Sequence, residues 1–394
     1  MHTLDGGAVR GGWSQAEGAP ATVWADGLDP AARAVLDPGV PGDLDPRPDV
    51  LVVGGGVIGL ATALFCRRAG LGRVLVIEAR RLAAGASGGA SGALAPDLHQ
   101  LTDPPAFVRL ARASLTLFRD LDQEWDGALG LRWAPRLLLL PDGPPPSPQL
   151  WPGVELLGAD QVAELEPDLA PVPAALLTTG QAQVNPLRLA AVLARRAGSV
   201  ATGIAMTSLQ VAGGRVVRVR TTAGDLHPGM VVLATGLAPE PWVRLPQRLV
   251  KGHLIATEPG RFRLRCGVHG PGGGVGPLPG GGLLAGGTRD EGDQSPHVRP
   301  EVVASIRRRL GALLPAAQDV RSTHRWCCFR PATADGQPVI DQVPGIENAW
   351  VSAGHDGTGI LLAPATGQAL ARWIATGKRP RTVNSFTLSR FAQA

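Results

Sequence analysis

Tyrosine does not occur among the 394 residues, and lysine occurs only twice, at Lys251 and Lys378. The net charge of +5 therefore comes almost entirely from arginine, which forms no run longer than Arg307–Arg309. No nucleic-acid recognition motif accompanies this charge. Nucleic acid is accordingly not an expected partner.

Cysteine is also scarce, and none of Cys66, Cys266, Cys327 and Cys328 belongs to a C-x-x-C pair. Zinc binding and thioredoxin-type chemistry therefore have no support, and a disulfide scaffold is not expected in a chain of this length. A basic segment followed by an apolar run is missing near the N-terminus, and no run of about 18 apolar residues occurs. We expect a protein of the reducing cytoplasm that has no metal, no secretory signal and no transmembrane segment.

The chain is rich instead in Gly (53) and Pro (36), which indicates many tight turns. Its length predicts two joined domains. Residues 1–48 contain much Gly, Ala, Pro and Asp without a sustained period, and predict a loosely ordered extension. A lid, an interface arm or a misassigned start codon are the alternatives for this segment.

A β-α-β unit follows the extension. Val50 to Val53 form a fully apolar run that is typical of a buried parallel strand, residues 57–69 predict a helix, and residues 74–77 predict a second buried strand. Further helices are predicted at 104–127, 186–197, 300–314 and 359–375, and further strands at 137–140, 216–220, 230–233, 249–257, 283–287 and 350–352.

This order predicts an α/β protein with a β-rich segment inserted between distant pieces of a nucleotide-binding domain. The predicted pieces of that Rossmann-like domain are residues 49–130, 181–244 and 330–380. The predicted antiparallel substrate domain comprises residues 131–180 and 245–329. The strands at 216–220 and 230–233 are expected to flank a turn at 223–225.

The β-α-β unit contains the pattern G-x-G-x-x-G as Gly54, Gly56 and Gly59. It follows a strand and opens a helix, and this context makes the pattern specific for a dinucleotide. The first glycine permits the sharp turn, the second the approach of a pyrophosphate, and the third close packing of the helix on the sheet. The N–H groups of the first helical turn would face the phosphates.

Glu78 ends the second strand, 19 residues after Gly59. A carboxylate at this point accepts hydrogen bonds from ribose hydroxyls and repels a 2′-phosphate, which argues against NADP. The small-residue loop 85–92 follows closely, and its amides and hydroxyls suit a cofactor larger than one nucleotide. The sequence therefore favours FAD over NAD.

Four blocks resemble the D-amino-acid oxidase superfamily of FAD enzymes, in its glycine oxidase and sarcosine oxidase branch. They are DVLVVGGGVIGL through Glu78, GASGGASGAL at 85–94, VVLATG at 231–236, and RPATADGQPVID at 330–341 leading to SAGHDGTGILLAPATGQ at 352–368. The resemblance extends from about Asp49 to Thr376. It implies a GR2-type flavoprotein fold.

The resemblance implies cofactor contacts in all four blocks and near Met206. At the last block, a helix start would direct its positive end towards the flavin pyrimidine and stabilise the reduced state. The expected cofactor-binding residues are Gly54, Gly56, Val57, Ile58, Gly59, Glu78, Ala79, Arg80, Ser87, Ser91, Gly92, Met206, Ala234, Thr235, Gly236, Cys328, Gly354, Gly357, Thr358, Gly359 and Ile360.

The expected catalytic residues are Arg330, His355 and Lys251. Arg330 occupies the position at which glycine and D-amino-acid oxidases bind the substrate carboxylate, and a planar guanidinium suits that role; a structural salt bridge is the alternative. His355 would place a positive charge near the reduced flavin, or would be a histidine hydrogen-bonded within its turn. Lys251 would stabilise superoxide formed with oxygen, as in some relatives.

Cys328 has the spacing of the cysteine that sarcosine oxidases bond covalently to flavin, and a buried, inert thiol is the alternative. Two features depart from the family: Gly357 stands where glycine oxidases often have a second arginine, and Leu361 where sarcosine oxidases have a lysine. The tyrosine hydroxyls that many relatives place over the substrate are also missing. These departures leave the substrate open.

The predicted function is FAD-dependent oxidation of the C–N bond of a small amine or amino acid. Hydride would pass to flavin N5, giving an imine and, with molecular oxygen, H₂O₂. A dehydrogenase that uses a quinone or a protein acceptor and a non-catalytic flavin-binding assembly protein are the alternatives. A homo-oligomer is possible.

Overall fold

The computed structural model describes residues 2–4, 22–100, 102–143, 152–236, 243, 245–271 and 273–391. The helices in these residues are α1 Val23–Asp26, α2 Pro30–Val35, α3 Val57–Arg68, α4 Pro105–Glu124, α5 Ala159–Leu165, α6 Pro186–Ala194, α7 Pro300–Leu313 and α8 Gly359–Thr376. The strands are β1 His2–Leu4, β2 Val50–Val53, β3 Val74–Glu78, β4 Ala93–Leu94, β5 Arg132–Trp133, β6 Arg136–Leu140, β7 Val154–Gly158, β8 Ala174–Thr178, β9 Ala182–Gln183, β10 Ser199–Thr202, β11 Met206–Ala212, β12 Arg215–Thr221, β13 Gly224–Leu226, β14 Met230–Leu233, β15 Gln247–Thr257, β16 Gly267–Gly270, β17 Gly273–Pro277, β18 Leu283–Gly286, β19 Ser322–Thr333, β20 Val339–Gln342 and β21 Ala349–Ala353.

One half of the molecule is built on a six-stranded sheet, whose strands come from distant parts of the chain. Their order is β10-β3-β2-β14-β21-β20. All neighbouring strands are parallel except β20, which pairs antiparallel with β21. The apolar runs of β2 and β21, and all of β14 except Met230, are buried because both faces of this sheet are covered. Helices α3, α4, α6 and α8 pack on one face, and the antiparallel strands β11, β12 and β13 pack on the other. The predicted α/β fold class is therefore confirmed.

The two glycine-rich helix starts lie at the same edge of this sheet. Helix α3 follows β2 and helix α8 follows β21, and only β14 separates these two strands. Two strand spacings amount to about 10 Å. The helices pack very closely, since a Cβ added to Gly367 of α8 would lie 2.6 Å from the carbonyl carbon of Ala61 in α3.

An eight-stranded sheet forms the second half, in the order β19-β15-β18-β17-β16-β6-β8-β7. It is antiparallel as predicted, apart from the parallel pair β16 and β6. One of its faces packs against α5 and α7 through a core that includes Ile255, Val268 and Val303. The opposite face is turned towards the six-stranded sheet, since Leu254 and Trp326 belong to the core of that half.

The two strands predicted on either side of residues 223–225 are present as β12 and β14, but they do not pair with each other. Strand β12 pairs with β13, which returns directly after the turn, whereas β14 joins the parallel sheet. Strand β13 was not predicted, because it is short and partly polar and carries no sequence signal of its own. Strand β10 was likewise not predicted, because its sequence SVAT is too short to show a period.

The expectation of loose order over residues 1–48 does not hold for residues 22–48. Trp24 is 5% exposed and Leu36 is also 5% exposed, and both pack into the core that contains α3 and α6. A single tryptophan and a few leucines provide the anchorage. Because they are widely spaced among polar and small residues, they produce no periodicity.

The strands of the two large sheets fall into the two sets of segments expected from the sequence, except that β19 continues past residue 329 to Thr333. On this distribution we propose the domain division stated above. Across the described residues, no helix has the length and apolarity to cross a membrane.

Lys251 is fully buried on the face of the eight-stranded sheet that packs against α7. Its ammonium donates to Asp293 Oδ2 at 2.7 Å, to Ser295 Oγ at 3.1 Å and to the His297 carbonyl at 2.7 Å. All three N–H bonds are therefore used. The hydrogen bond from Lys251 holds the pKa of Asp293 well below its usual range.

Lys251→Met should reduce the free energy of unfolding by about 2 kcal/mol, because Asp293 loses its shortest charged hydrogen bond and keeps only the 3.4 Å charged contact with Arg299 Nε. Urea unfolding at pH 7, followed by circular dichroism, measures the loss, with exposed Lys378→Met as the control. The pKa of Asp293 is lowered in the folded state, so its ion pair with Lys251 stabilises the fold at pH values above the pKa of Asp293 in the unfolded chain. The difference in stability between the native protein and Lys251→Met should therefore shrink as the pH falls below about 4. An equal effect of both substitutions would contradict this assignment.

Candidate functional site

The turn between β2 and α3 can be formed only with glycine at two positions. Gly54 has a φ of +116°, and a Cβ there would lie 2.3 Å from the Ala234 carbonyl oxygen. A Cβ on Gly59 would lie 2.0 Å from the Gly54 oxygen. Both contacts are with backbone, which cannot give way. The turn therefore lies against the end of β14, and the first N–H groups of α3 are left without intrahelical partners.

Gly56 has a different role, because the only atom near a Cβ built on it is Ser87 Oγ at 3.3 Å. The space beside this N-cap residue is open. Ser87 Oγ accepts the Val57 N–H at 3.1 Å, which ties the loop 85–92 to the helix start. Ile58 and Gly59 continue the same first turn. An anion at this point would meet a cluster of N–H groups at the positive end of α3.

Glu78 is partly exposed at the tip of β3. Its Oε2 accepts the Gly55 N–H at 2.8 Å, and its Oε1 accepts the Arg80 N–H at 2.9 Å. The carboxylate thus joins the glycine turn to the segment that contains Ala79. This is the position expected for the group that binds ribose hydroxyls.

The loop 85–92 is bound to both halves of the molecule. The Gly89 carbonyl accepts the Trp326 Nε1–H at 3.0 Å, and the Ser91 carbonyl accepts from Gln183 at 3.3 Å. Gly92 has a φ of +72°. The loop therefore spans from the helix start to the eight-stranded sheet, as expected for a loop beside an extended cofactor.

Residues 22–39 hold this loop from the outside. Trp24 Nε1 donates to the Ala90 carbonyl at 2.8 Å, and Asn185 Nδ2 donates to the Trp24 carbonyl at 2.8 Å. The Leu82 N–H donates to the Leu36 carbonyl at 2.8 Å. The chain before β2 is thus hydrogen-bonded to Leu82 and to Ala90, near the two ends of the segment from Glu78 to Ser91.

The remaining predicted contacts lie around the same sheet edge. The Ala234 N–H donates to the Val53 carbonyl at 2.8 Å, and Gly236 beyond Thr235 has a φ of +64°. At the last block, Gly354 has a φ of +68°, and Gly357 and Thr358 precede Gly359 and buried Ile360 at the start of α8. Met206 begins β11 on the far side of β10 and is partly buried.

Arg330 extends from β19 towards this last turn. Its Nη1 donates to the Thr288 carbonyl at 2.8 Å, and its aliphatic stem lies 3.4 Å from a Cβ built on Gly357. A Cβ on Gly252 would lie 2.5 Å from Nη2, so that glycine lets the guanidinium rest on the sheet. No ion pair joins Arg330 to an acid in the described part of the chain. The salt-bridge alternative therefore gains no support.

Lys251 does not lie with Arg330. Val250 and Arg330 are register partners on adjacent strands, so Lys251 and its partner Phe329 point to the opposite face. The structure thus contradicts the predicted role of Lys251 beside oxygen and the flavin. The resemblance placed the strand correctly, but strand alternation decides which face a side chain occupies.

His355 is 4% exposed, and its Nε2 lies 3.4 Å from Thr366 Oγ1. Burial lowers the pKa of His355 to about 3, so the ring is neutral near pH 7. Burial thus argues against the predicted positive charge and favours a neutral histidine that is hydrogen-bonded within the fold. The carbonyl of His355 accepts from Thr358, which fixes the turn before α8.

Cys328 lies on the same sheet face as Arg330, and its thiol donates to the Gly89 carbonyl at 3.3 Å. Burial raises the pKa of this thiol. Both features disfavour the thiolate that bond formation to a cofactor requires. The inert alternative has the stronger physical support.

Two further side chains on this face, Arg136 of β6 and His269 of β16, were not predicted. Arg136 stands in an apolar strand, and His269 lies among glycines, so neither belongs to a motif. The only signal was an arginine at the start of the strand LLLL, where charge is unusual. Their role is considered below.

The described residues form a parallel sheet with two helix N-termini at one edge. A glycine turn follows strand β2, and a carboxylate stands at the end of β3. These features define a dinucleotide-binding flavoprotein fold. Residues 49–373 match the family model DAO, described as FAD dependent oxidoreductase. The chain belongs to this family, whose cofactor is FAD.

Curated relatives agree with this assignment. The chain is 30% identical to glycine oxidase of Pseudomonas putida over 84% of its own length and 95% of the relative. It is 28% identical to the bifunctional protein ThiO/ThiG of Synechocystis over 87% of its length, yet it spans only 54% of that protein. It thus covers about half the length of the first curated relatives it matches. Glycine oxidase from Geobacillus kaustophilus superposes with a TM-score of 0.75 at 27% identity, covering 87% of this chain and 99% of that one.

The described residues fit FAD. Beside Gly56, space remains where a phosphate would pass, and the N–H groups of α3 and the hydroxyl of Ser87 surround it. Glu78 ends β3, where the sequence leads us to expect the ribose, and α8 directs a second N-terminus to the same edge. Together these groups match a cofactor with two phosphates and an anionic reduced ring.

Trp24→Ala should weaken FAD binding at least ten-fold, because the loop 85–92 loses its outer hydrogen bond and a buried aromatic contact. The measurement is the dissociation constant of FAD, obtained from flavin fluorescence on titrating apoprotein. Trp133→Ala, at a 40% exposed tryptophan, is the control. Unchanged FAD affinity with a lowered melting temperature of the apoprotein would assign Trp24 to stability alone.

Proposed function

We propose that this protein is an FAD-dependent oxidase of the C–N bond of an amino acid or a related amine. The observation that carries the proposal is Arg330, a guanidinium without an acidic partner in the described chain, beside the turn that starts α8. A planar fork of donors is the group that binds a carboxylate by two parallel hydrogen bonds. The glycine oxidase relatives support the same chemistry.

FAD, when bound, supplies the hydride acceptor. The protein's own contribution is orientation and electrostatics, because no acid-base relay is required when the amine is neutral. Arg330 would hold the carboxylate and thereby fix the α-carbon. Neutral His355 and Thr358 would keep the helix start in place, so that the dipole of α8 stabilises negative charge on the reduced ring.

We further propose that molecular oxygen reoxidises the enzyme, giving H₂O₂. The alternative electron acceptor is a quinone or a protein carrier. A flavin-binding protein without turnover is the competing class. The four cysteines are free and buried, which supports a reducing cytoplasm. A homo-oligomer is also part of this proposal.

An amino-acid panel mixed anaerobically with the holoenzyme should bleach the oxidised flavin band for at least one member. Arg330→Leu should raise KM by about 100-fold, since one charged hydrogen-bonded contact corresponds to ~1.5–3 kcal/mol. Arg330→Lys should recover part of this loss. Absence of bleaching with every member would remove the oxidase proposal, and rapid reoxidation by air would identify oxygen as acceptor.

The flavin should leave the protein on acid precipitation, so that the supernatant is yellow and the pellet colourless. The reason is that the Cys328 thiol is buried and donates to a backbone carbonyl. Absorbance at 450 nm in the two fractions measures this, and Cys328→Ala should behave identically. A yellow pellet from the native protein that is lost in Cys328→Ala would establish a covalent bond instead.

A further inference from the structure

Three polar side chains lie flat on one face of the eight-stranded sheet, each over a glycine of the neighbouring strand. Arg330 lies over Gly252, as described. A Cβ on Gly274 would lie 2.7 Å from His269 Nδ1, and a Cβ on Gly267 would lie 2.6 Å from Arg136 Nη1. Glycine at these points lets each long side chain rest on the backbone of the neighbouring strand.

The pairing register places all three on the same face. Cys328 pairs with Gly252, and Leu254, two residues further, pairs with Gly286. From Gly286 the pairing continues to Gly274 in β17, and from Gly274 to His269 in β16. Two residues before His269, Gly267 pairs with Arg136 in β6. Register partners and residues two apart share a face, so this row extends from Arg330 to Arg136. The row faces the half of the molecule that holds the cofactor.

Arg136 and Arg330 give this row a positive charge that no acidic side chain among the described residues neutralises. No ion pair joins Arg136 or Arg330 to an acid within the described ranges, and the buried Nε of Arg136 has no hydrogen-bond partner there. Arg136 uses only Nη2, which donates to the Ala182 carbonyl at 3.0 Å. A guanidinium that is desolvated and only partly bonded is expensive, and an anion would relieve that cost.

His269 stands at the Arg136 end of this row, because Gly267, two residues before it, pairs with Arg136. Its side chain is exposed, yet burial, followed by the charge of Arg136, lowers the pKa of His269 to about 4. Burial also lowers the pKa of Arg136 to about 10. Near pH 7 the neutral ring keeps one N–H to donate.

The spacing suits a short ligand. The Arg330 guanidinium lies over β15 and the His269 ring over β17, with β18 between them, and the two glycines differ by two residues along the strands. Two strand spacings and two residue rises give a separation of roughly 12 Å. Hydrogen bonds of about 3 Å at each end leave roughly 6 Å for the ligand. That is the length of a five-carbon diacid.

We propose that His269 and Arg136 form a second anion subsite, and that the substrate is an amine or amino acid carrying two acid groups. One acid group binds Arg330, and the other lies against His269 with Arg136 behind it. Arg136 provides a cation at the end of the row away from Arg330, whereas Gly357 provides none beside α8. This proposal rests on the proposed function for the first acid group and the oxidised carbon.

The purely structural interpretation of Arg136 is that it fastens β9 to β6 through Ala182. It accounts for one N–H of the guanidinium. It does not account for the unpaired Nε, for the glycine beneath Nη1, or for His269, which has no hydrogen-bond partner in the parts of the chain described.

The test is a titration of oxidised holoenzyme with non-reacting acids, followed by the shift of the flavin absorbance band. Glutarate, with two carboxylates, should bind at least ten-fold more tightly than valerate, which has the same chain and one carboxylate. Arg136→Gln and His269→Leu should each reduce this preference by ~10-fold while leaving valerate affinity unchanged. The control is Arg325→Gln, at an exposed arginine on the opposite face of β19.

Equal affinity of native protein for glutarate and valerate would overturn the subsite. Loss of affinity for both acids alike in His269→Leu, whose exposed position makes misfolding a minor concern, would do the same. These titrations need no turnover, so they separate this proposal from the oxidase proposal. In turnover, glutamate compared with glutamine, in both enantiomers, extends the test, and the native enzyme should prefer the dicarboxylate by kcat/KM.

Discussion

The contact of Gly59 with the Gly54 carbonyl, and of Gly54 with Ala234, is the constraint on which the site depends. It brings the start of α3 down onto the ends of β2 and β14, where a side chain of any size would separate them. Because β14 also adjoins β21, the same edge receives the start of α8. Two helix dipoles then act on one ligand without a charged side chain.

The eight-stranded sheet complements this edge by a different means. Glycine in β15, β16 and β17 removes side chains from the middle of its inner face, and arginine and histidine lie over the gaps. The outer face holds the sheet together, through an apolar core and the buried ammonium of Lys251. Strand alternation thus places the side chains proposed for recognition on one face of the sheet and its stabilising core on the other.

The fold and the cofactor loops were predictable because each rests on local rules: apolar runs for buried strands, and glycine where only glycine fits. The location of Arg330 was predictable from its block. Lys251 and His355 were not, since their roles depend on which face of a strand is buried and on how much water remains. Arg136 and His269 are brought together by pairing between β6 and β16, which are about 130 residues apart, and no local pattern encodes it.

The strand order has a consequence for biosynthesis. Strand β2 is complete near residue 53, but its neighbour β14 arrives at residue 230 and the next strand, β21, only at residue 349. Parallel strands cannot close through a tight hairpin, so these pairings form between distant parts of the chain. The nucleotide cradle is therefore incomplete until synthesis has passed residue 359, where α8 begins, and FAD can meet both helix starts only after that point.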